Sequence, residues 1–525
     1  MNEEQELPQG WVSVSLGQIL DIRSGFAFKS TEYSTFGIPI LRISNIVKGK
    51  ISFEQDTVYW GKTAADSLQS FLVEKGDTLL AMSGATTGKI GVYEHDYPAL
   101  LNQRVARLRP IIKDEAIQKY SRLFLSGISD EILANAYGAA QPNISSSELG
   151  AFTFPLPPLP EQRRIVAKLE ELFSKLDAGV AVVRRTQALL KRYRQSVLHA
   201  AVTGELTRAW REAHPPAPAE TGAALLQRIR AERRAQWEAA QVAKRGGQLP
   251  LGEGWKSKYT EPEAVDTEGL PELPEGWVWA TSEQLCSSVA SGSTPKPEEL
   301  FADKGEIPFL KVYNLTKTGH LDFTNKPTFI REQIHNGQLN RSRVNPGDVL
   351  INIVGPPLGK VSIVPDQFPE WNINQAIVAF KAVPGYSNKF LLTSLLTETI
   401  MNWLLRTAKT TTSQVNLSVT VCRQLPLPLP SEAEQSEIVA EVERRLTVLD
   451  ALSQTLTAEL KRAERLRQSL LHRAFTGRLV PQDATDEPAA ALLARLRETL
   501  AAPAKAKSKA GRKTGPTSKQ LSIKL

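Results

Sequence analysis

Apolar positions between residues 161 and 206 recur at alternating steps of four and three: Ile165, Leu169, Leu172, Leu176, Gly179, Val183, Thr186, Leu190, Tyr193 and Val197. Eight of these ten are apolar, which is the 3.5-residue period of a coiled-coil seam. Shifted by 273 positions the stretch returns as residues 434–479, with nineteen of forty-six residues identical and no gap. The matching seam there reads Ile438, Val442, Arg445, Leu449, Leu452, Leu456, Glu459, Ala463, Leu466 and Leu470. Each copy is entered through a proline run, residues 155–160 and 426–430, and closes on a Thr-Gly pair, Thr203-Gly204 and Thr476-Gly477. Proline before the first turn and glycine after the last are the punctuation of a helix. A helix from Glu161 to Ala201 would be roughly 60 Å long. An open apolar seam of that length needs a partner, and its own copy is the obvious one. The pattern predicts two long helices packed together as a spacer, with Leu169, Leu176, Val183 and Leu190 facing Leu449, Leu456 and Leu466.

The segments on either side of these helices have a shorter period. In residues 1–155, Ile38–Asn45, Thr78–Met82 and Lys89–Tyr93 alternate or run apolar like strands, with turn residues at Gly76-Asp77 and Gly84. Residues 116–136 carry a helical pattern. Residues 271–425 repeat the plan: Leu273-Pro-Glu-Gly-Trp277 echoes Leu7-Pro-Gln-Gly-Trp11, residues 307–314 answer 38–45, residues 345–350 answer 74–79, and Asn374-Gln375 answers Asn102-Gln103. A basic amphipathic helix at 223–241 sits within an expected linker, 211–270, and has a shortened twin at 490–500. The expected order is a first globular domain (1–155), a long helix (156–210), the linker, a second globular domain (271–425), a second long helix (426–480), and a short helix with a tail (481–525). From Pro503 that tail holds seven Lys/Arg and no acid, the composition of a disordered basic segment. The fold class is α+β: two α/β domains separated by two long helices packed as a spacer, with an internal repeat. The helices match far better than the domains, so a common scaffold carries two different heads.

Composition narrows the function. The 525 residues leave room for several cores, and a net charge of +8 suits a polyanionic partner. Two cysteines, Cys286 and Cys422, are too few for a disulfide framework or a cysteine zinc site. No apolar run reaches membrane-span length, and the start, MNEEQELPQGW, is acidic and unlike a signal peptide. A reducing cytoplasm is the expected location.

Catalytic motifs fail on inspection. The chain has no HExxH, GxSxG or strand-borne GxGxxG, no Asn-Pro-Pro-aromatic sequence, and no clustered acidic nuclease motif. Gly84-Ala-Thr-Thr-Gly88-Lys89 is one residue short of a phosphate loop, and Ile90 stands where a Mg²⁺-binding hydroxyl belongs. Its partner Gly355–Lys360 has prolines where backbone N–H groups should cradle phosphate. A glycine turn between strands is the plainer reading for both; Lys89 and Lys360 touching a nucleic-acid backbone is the sharper one. His199 and His472 sit near helix ends, where a charge complements the helix dipole. Arg42 with Asn45, and Lys311 with Asn314, hold matched places in matched strand candidates. Arg104, Arg107 and Arg109 share another. On a strand face such residues could meet phosphate or base edges, or be a solvated surface. The DNA-binding candidates are therefore Arg42, Asn45, Lys89, Arg104, Lys311, Asn314 and Lys360, with no catalytic, cofactor or metal residue named.

The LPxGW openings, the Gly-Asp turn, SGATTGK and PLPPLPEQRRIVAKLEELFSKLD together resemble the specificity subunit of type I restriction–modification systems (HsdS). LPSEAEQSEIV and TGRLVPQDATDEPAAALLARLR extend the resemblance over nearly the whole chain; Ser431-Glu-Ala before Glu434-Gln435 is a small departure. The resemblance implies a non-catalytic subunit that reads double-stranded DNA. Each head would recognise one half of a bipartite, asymmetric target, and the two helices would form an antiparallel coiled coil that relates the heads by a pseudo-two-fold repeat and sets the spacing. Two methyltransferase subunits with S-adenosylmethionine, and restriction subunits using ATP and Mg²⁺, would assemble around a chain that binds no cofactor itself. Another two-headed DNA-binding protein, a coiled-coil adaptor for proteins alone, and a self-contained enzyme remain the alternatives.

Overall fold

A computed structural model describes residues 7–54, 57–61, 66–137, 142–244, 252–355, 357–407, 409–410 and 415–501. The basic tail expected from Pro503 lies outside the described residues. The long helices are Leu159–Val202 and Glu432–Phe475, 44 residues each, or about 66 Å at 1.5 Å per residue. Both are cut by the division of the chain into two compact units. One unit holds residues 1–183 and 458–525, the other 184–457.

In the first unit a six-stranded sheet runs in the order Leu20–Ser24, Val105–Pro110, Thr78–Ala81, Ile90–Val92, Lys50–Ile51, Ile46–Val47. A four-stranded sheet runs Val58–Trp60, Ile38–Leu41, Ala99–Leu101, Leu72–Val73. Thr78–Ala81 is buried at every position, which explains why it reads as an unbroken apolar run instead of an alternating one. The expected helix over 116–136 is two helices, Glu115–Gly127 and Ser129–Ala136, which meet at Ile128. Asp114 caps the first by accepting from Ala116 and Ile117 N–H.

The second unit repeats the skeleton. Its four-stranded sheet runs Cys286–Ser291, Ile377–Ala382, Val349–Asn352, Val361–Ile363. Its five-stranded sheet runs Phe301–Ala302, Thr328–Ile330, Ile307–Leu310, Trp371–Ile373, Arg343–Val344. The Gly-Asp turns serve one purpose in both units. Asp77 accepts from Glu74 N–H at 2.7 Å and Asp348 from Asn345 N–H at 2.8 Å, each closing the turn before a central strand.

The proline runs do more than start helices. Thr153–Leu156 pairs antiparallel with Val12–Ser15, and Pro426–Leu429 with Val278–Thr281. A two-stranded ribbon tolerates proline because each strand has an unpaired edge. The LPxGW openings are turns. Trp11 N–H donates to Pro8 O and Trp277 N–H to Pro274 O, with Gly10 and Gly276 at φ 81° and 87°. Each turn aims an indole at a glutamate in the first turn of a long helix: Trp11 Nε1 to Glu161 Oε2 and Trp277 Nε1 to Glu434 Oε2, both 2.8 Å. The neighbouring glutamine donates back to the proline run, Gln162 to Pro157 O and Gln435 to Pro430 O. In the second copy Ser431 supplies the helix cap, accepting from Glu434 N–H at 3.2 Å, so the Ser431-Glu-Ala departure has a structural use.

The helix ends complete the same lock. Gly204 and Gly477 have φ of 72° and 69°. A Cβ on either would lie 2.4 Å from Pro274 Cγ or 2.3 Å from Pro8 Cγ. The end of the first helix thus packs on the opening of the second head, and the end of the second helix on the opening of the first. The short amphipathic helices follow suit. In the second unit Gly222 N–H donates to Gly276 O at 2.7 Å, and Leu225, Leu226 and Ile229 join the core. In the first, Ala489 N–H donates to Gly10 O at 2.9 Å, and Leu492 and Leu496 join the core. The first two turns of the helix Gly222–Ala243 therefore pack into the second head's core, within the segment the sequence suggested as a linker.

Within each unit the long helices run antiparallel. In the second, Gln187 meets Thr457 at 3.5 Å and Arg194 bonds Asp450. In the first, Arg467 lies over the Phe173 ring at 4.3 Å and pairs with Asp177, while Ile165 and Leu169 share a core with Leu471 and Ala474. Leu169 and Leu449 are buried, and Leu176, Val183, Leu190 and Leu456 half-buried. Leu466 does not face the partner helix and is 48% exposed; past Leu456 the covered line runs through Leu460, Ala463, Arg467 and Leu470. A 4–3 pattern can be continued in either of two phases, and Leu466 with Leu452 favoured the wrong one. Arg467 holds the position instead, because its guanidinium lies over the Phe173 ring while pairing with Asp177.

Candidate nucleic-acid interface

The expected strands at 38–45 and 307–314 end early. Ile38–Leu41 and Ile307–Leu310 each give way to one helical turn, Ile43–Asn45 and Val312–Asn314. Asn45 Oδ1 accepts from Arg42 N–H at 2.9 Å and its amide donates to Ser52 O at 3.0 Å. Asn314 accepts from Lys311 N–H at 2.9 Å and donates to Asp322 O and Asn325 O. Both asparagines are essentially inaccessible, 1% and 0% exposed. They are turn locks, and base contact by either side chain is ruled out by burial. The matched pattern in the sequence was real, but it recorded a shared turn. Arg42 and Lys311, at the start of each turn, are half-buried.

The three arginines of the strand Val105–Pro110 and its approach also separate. Arg107, 4% exposed, donates to Ser70 O at 3.2 Å and to Leu72 O. Arg109 bonds Asp77 Oδ2 at 2.6 Å, and the Asp77 carboxylate holds its guanidinium pKa above the ordinary value. Two of the three are thus committed inside the head. Arg104 is exposed, with no carboxylate partner among the described residues.

The glycine loops are turns. Gly84–Thr86 is a single helical turn, and Gly88 backs onto the next helix, accepting from Ser129 Oγ at 3.1 Å. A Cβ at Gly88 would lie 2.9 Å from Ser129 O, so the loop is closed against protein where a phosphate cradle would be open. Lys89 itself is exposed. With Lys48 it borders an open depression of about 610 Å³ lined also by Ile43, Gly49, Thr86 and Ser126. Lys360 is more confined, half-buried with Nζ donating to Val312 O at 3.2 Å.

What the sequence understated is the Asn-Gln pair. Asn102 N–H donates to Leu41 O and Asn374 N–H to Leu310 O, both 3.1 Å. A turn follows in each, Val105 N–H to Asn102 O at 2.9 Å and Ile377 N–H to Asn374 O at 3.1 Å. Gln103 and Gln375 stand exposed at its corner. The same neighbours hold both turns: Met82 N–H donates to Arg104 O and Ile353 N–H to Ala376 O, both at 2.9 Å. Glycine is obligatory alongside, since a Cβ on Gly25 or Gly292 would lie 2.0 Å from Leu101 O or Ile373 O.

No group of metal-binding side chains occurs among the described residues. Cys286 and Cys422 are buried, and burial pushes the Cys422 thiol up to about 12, far from a reactive thiolate. No described helix is long and apolar enough to cross a membrane.

Comparison with known proteins agrees with this construction. The family model "Type I restriction modification DNA specificity domain" matches residues 8–180 and 274–462, one match on each head with the helix that follows. The chain is 28% identical to the EcoBI specificity subunit of Escherichia coli over 94% of its length and 93% of the relative's. It is 24% identical to the EcoKI specificity subunit of the same species, covering 95% and 97%. A solved chain from work on assembly and conformational transition of a type I restriction–modification system superposes with a TM-score of 0.60 at 19% identity, covering 90% of this chain and all of that one. With the family match spanning both heads and the first half or more of each long helix, this chain belongs to the type I restriction–modification DNA specificity family.

Proposed function

We propose that the chain is the DNA-reading and scaffolding subunit of a type I restriction–modification complex in the cytoplasm. Each head reads one half of a bipartite, asymmetric duplex target. Two methyltransferase subunits supply S-adenosylmethionine chemistry, restriction subunits supply ATP- and Mg²⁺-dependent work, and this chain contributes no catalytic group. Adenine methylation within a duplex would require flipping by the partner enzyme, with this chain choosing the site.

The observation carrying this reading is one head skeleton built twice, with identical internal locks and different exposed residues. Trp–Glu, Gly-Asp and Asn-Gln recur at equivalent places, while Arg104 faces out from one turn and Ala376 occupies its place in the other. A protein that only scaffolded other proteins would have no need for two unlike readers on one frame.

Mapping methylated sites in cells with and without the gene tests the proposal. A bipartite motif should vanish with the gene. Exchanging residues 1–155 for another family member's first head should alter one half of it only. Purified alone, the chain should bind duplex DNA with strong salt dependence and transfer no methyl group. Loss of salt-dependent binding would favour the protein-only adaptor, and turnover by the isolated chain would favour an enzyme.

A further inference from the structure

Two heads that read different half-sites on one duplex face two tasks. The phosphate backbone is common to both half-sites, and the base edges are not. Side chains conserved between the heads at one place should therefore serve the backbone, and those that differ at the same place should serve the bases. The Asn-Gln turn offers both kinds side by side.

Its geometry is set by backbone bonds from several segments. In the first head Asn102 is 8% exposed, and its Oδ1 accepts from Arg104 N–H at 3.2 Å, inside the turn closed by Val105. Phe26 holds the turn from the side, donating to Leu101 O at 2.8 Å and accepting from Gln103 N–H at 3.0 Å. In the second head Ser293 takes the place of Phe26, donating to Ile373 O at 3.2 Å. The corner glutamine is thus presented by a turn with the same closing bonds in both heads, and in the first its own N–H is also held by Phe26 O. Next to it the heads part. The first head has Arg104 on the turn, exposed, beside Phe26, which is 39% exposed. The second has Ala376 there, and an exposed arginine comes from elsewhere: Arg341 Nε and Nη2 reach Ser293 Oγ at 3.3 and 3.1 Å. An exposed guanidinium thus accompanies the turn in both heads: Arg104 lies on the turn in the first, and Arg341 reaches Ser293, which flanks it, in the second.

We propose that this turn is the reading edge of each head: Gln103 and Gln375 contact the DNA backbone, and Arg104 and Arg341 are the specificity-determining residues that read base edges. The inference rests on the DNA-reading function proposed above. Arginine offers a forked pair of donors that matches guanine O6 and N7, and lysine in its place keeps the charge and loses the fork. Glutamine can donate to phosphate oxygens without adding charge, so its contribution is independent of sequence and leaves the counterion count unchanged. Arg107 and Arg109 are excluded from this role because both are bonded within the head.

The test uses the complete complex with its methyltransferase subunits, mapped for methylated motif and titrated against cognate duplex. Arg104→Ala and Arg104→Lys should relax one position in the first half-motif and weaken cognate binding about tenfold to a hundredfold. Arg104→Lys should retain wild-type affinity for unrelated duplex, which separates lost reading from lost folding. Arg341→Ala should relax the second half-motif only. Gln103→Ala and Gln375→Ala should weaken binding to all duplexes alike, with the motif and the salt slope unchanged. Arg462→Ala, on the exposed side of the second long helix, is the control expected to change nothing. Arg104 variants with the wild-type motif and affinity overturn this inference alone, as do glutamine variants with an altered motif. A wild-type complex without sequence-selective methylation overturns the functional reading and this inference with it.

Discussion

Glu434→Gln is expected to destabilise the second unit by about 3 kcal/mol, while the equivalent Glu161→Gln shifts the first by no more than about 1 kcal/mol. The two glutamates hold the same indole bond but differ in what surrounds the other oxygen. Glu434 Oε1 accepts from Thr207 Oγ1 at 2.7 Å and from Arg211 Nη1 at 2.5 Å. The Glu434 side chain is 2% exposed and that of Arg211 17%. Removing the carboxylate would leave a nearly buried guanidinium without its anion, the costly way to break such a pair. In the first unit, Val480 and Ala484 stand 273 positions after Thr207 and Arg211, and Glu161 Oε1 has no hydrogen-bond partner among the described residues. Burial accordingly raises the Glu161 carboxyl above its ordinary value of 4.5.

The sign of the linkage follows from that shift. A carboxyl with a raised folded-state pKa stabilises fully below its unfolded value and loses that contribution as pH rises through the folded one. The wild-type first unit should therefore lose some stability as pH rises above the ordinary carboxyl value of 4.5, and Glu161→Gln should flatten that slope while keeping the bond from Trp11. Hydrogen exchange across the ribbons Val12–Ser15 with Thr153–Leu156, and Val278–Thr281 with Pro426–Leu429, reads the two units separately. Arg211→Ala should resemble Glu434→Gln, and the double variant should lose less than the sum. Equal losses at Glu161 and Glu434 would show that the indole bond alone governs both sites.

These contrasts mark where the sequence could be read. The long helices, the doubled plan and the turns were legible because helix period, proline, glycine and the Gly-Asp pair act locally. The identity of Glu161-Gln162 with Glu434-Gln435 was visible, but the reason was not, since Trp11 lies 150 residues from Glu161. Asn45 and Asn314 were misread because a strand and a strand followed by one helical turn look alike over eight residues. Burial then inverts the reading of the asparagine, from surface contact to turn lock. Arg107 and Arg109 show the same limit. Their strand was visible, but Asp77 and the carbonyls of Ser70 and Leu72, which occupy them, come from other segments. Arg104 could be told from the other two only by its lack of a carboxylate partner among the described residues.

The second large effect concerns the helix Ala489–Ala501, which sequence order would assign to a dispensable end. Ending the chain after Glu487 should unfold much of the first head, although no residue of that head before residue 183 is touched. Leu492 and Leu496 are 3% and 0% exposed and belong to the same core as Trp11, Leu20, Tyr120 and Phe154. Withdrawing two buried leucines forfeits about 4–6 kcal/mol of burial, comparable with the whole stability of many domains. The backbone bond from Ala489 N–H to Gly10 O is lost as well, and with it support for the turn that aims Trp11 at Glu161. Leu496→Ala alone should cost about 2–5 kcal/mol. Ile229→Ala, in the matching helix Gly222–Ala243, should weaken the second unit instead, because Ile229 is 1% exposed in that unit's core. Exchange protection in Leu20–Ser24 and Val105–Pro110 should fall in the Leu496 variant, with Cys286–Ser291 and Ile377–Ala382 unaffected. The Ile229 variant should show the reverse. Unchanged protection in the first unit after truncation would mean that this helix only rests on the head. The packing argues otherwise: each head is completed by the helix that follows the other head's long helix, so Trp11 and Leu496, 485 positions apart, share one core.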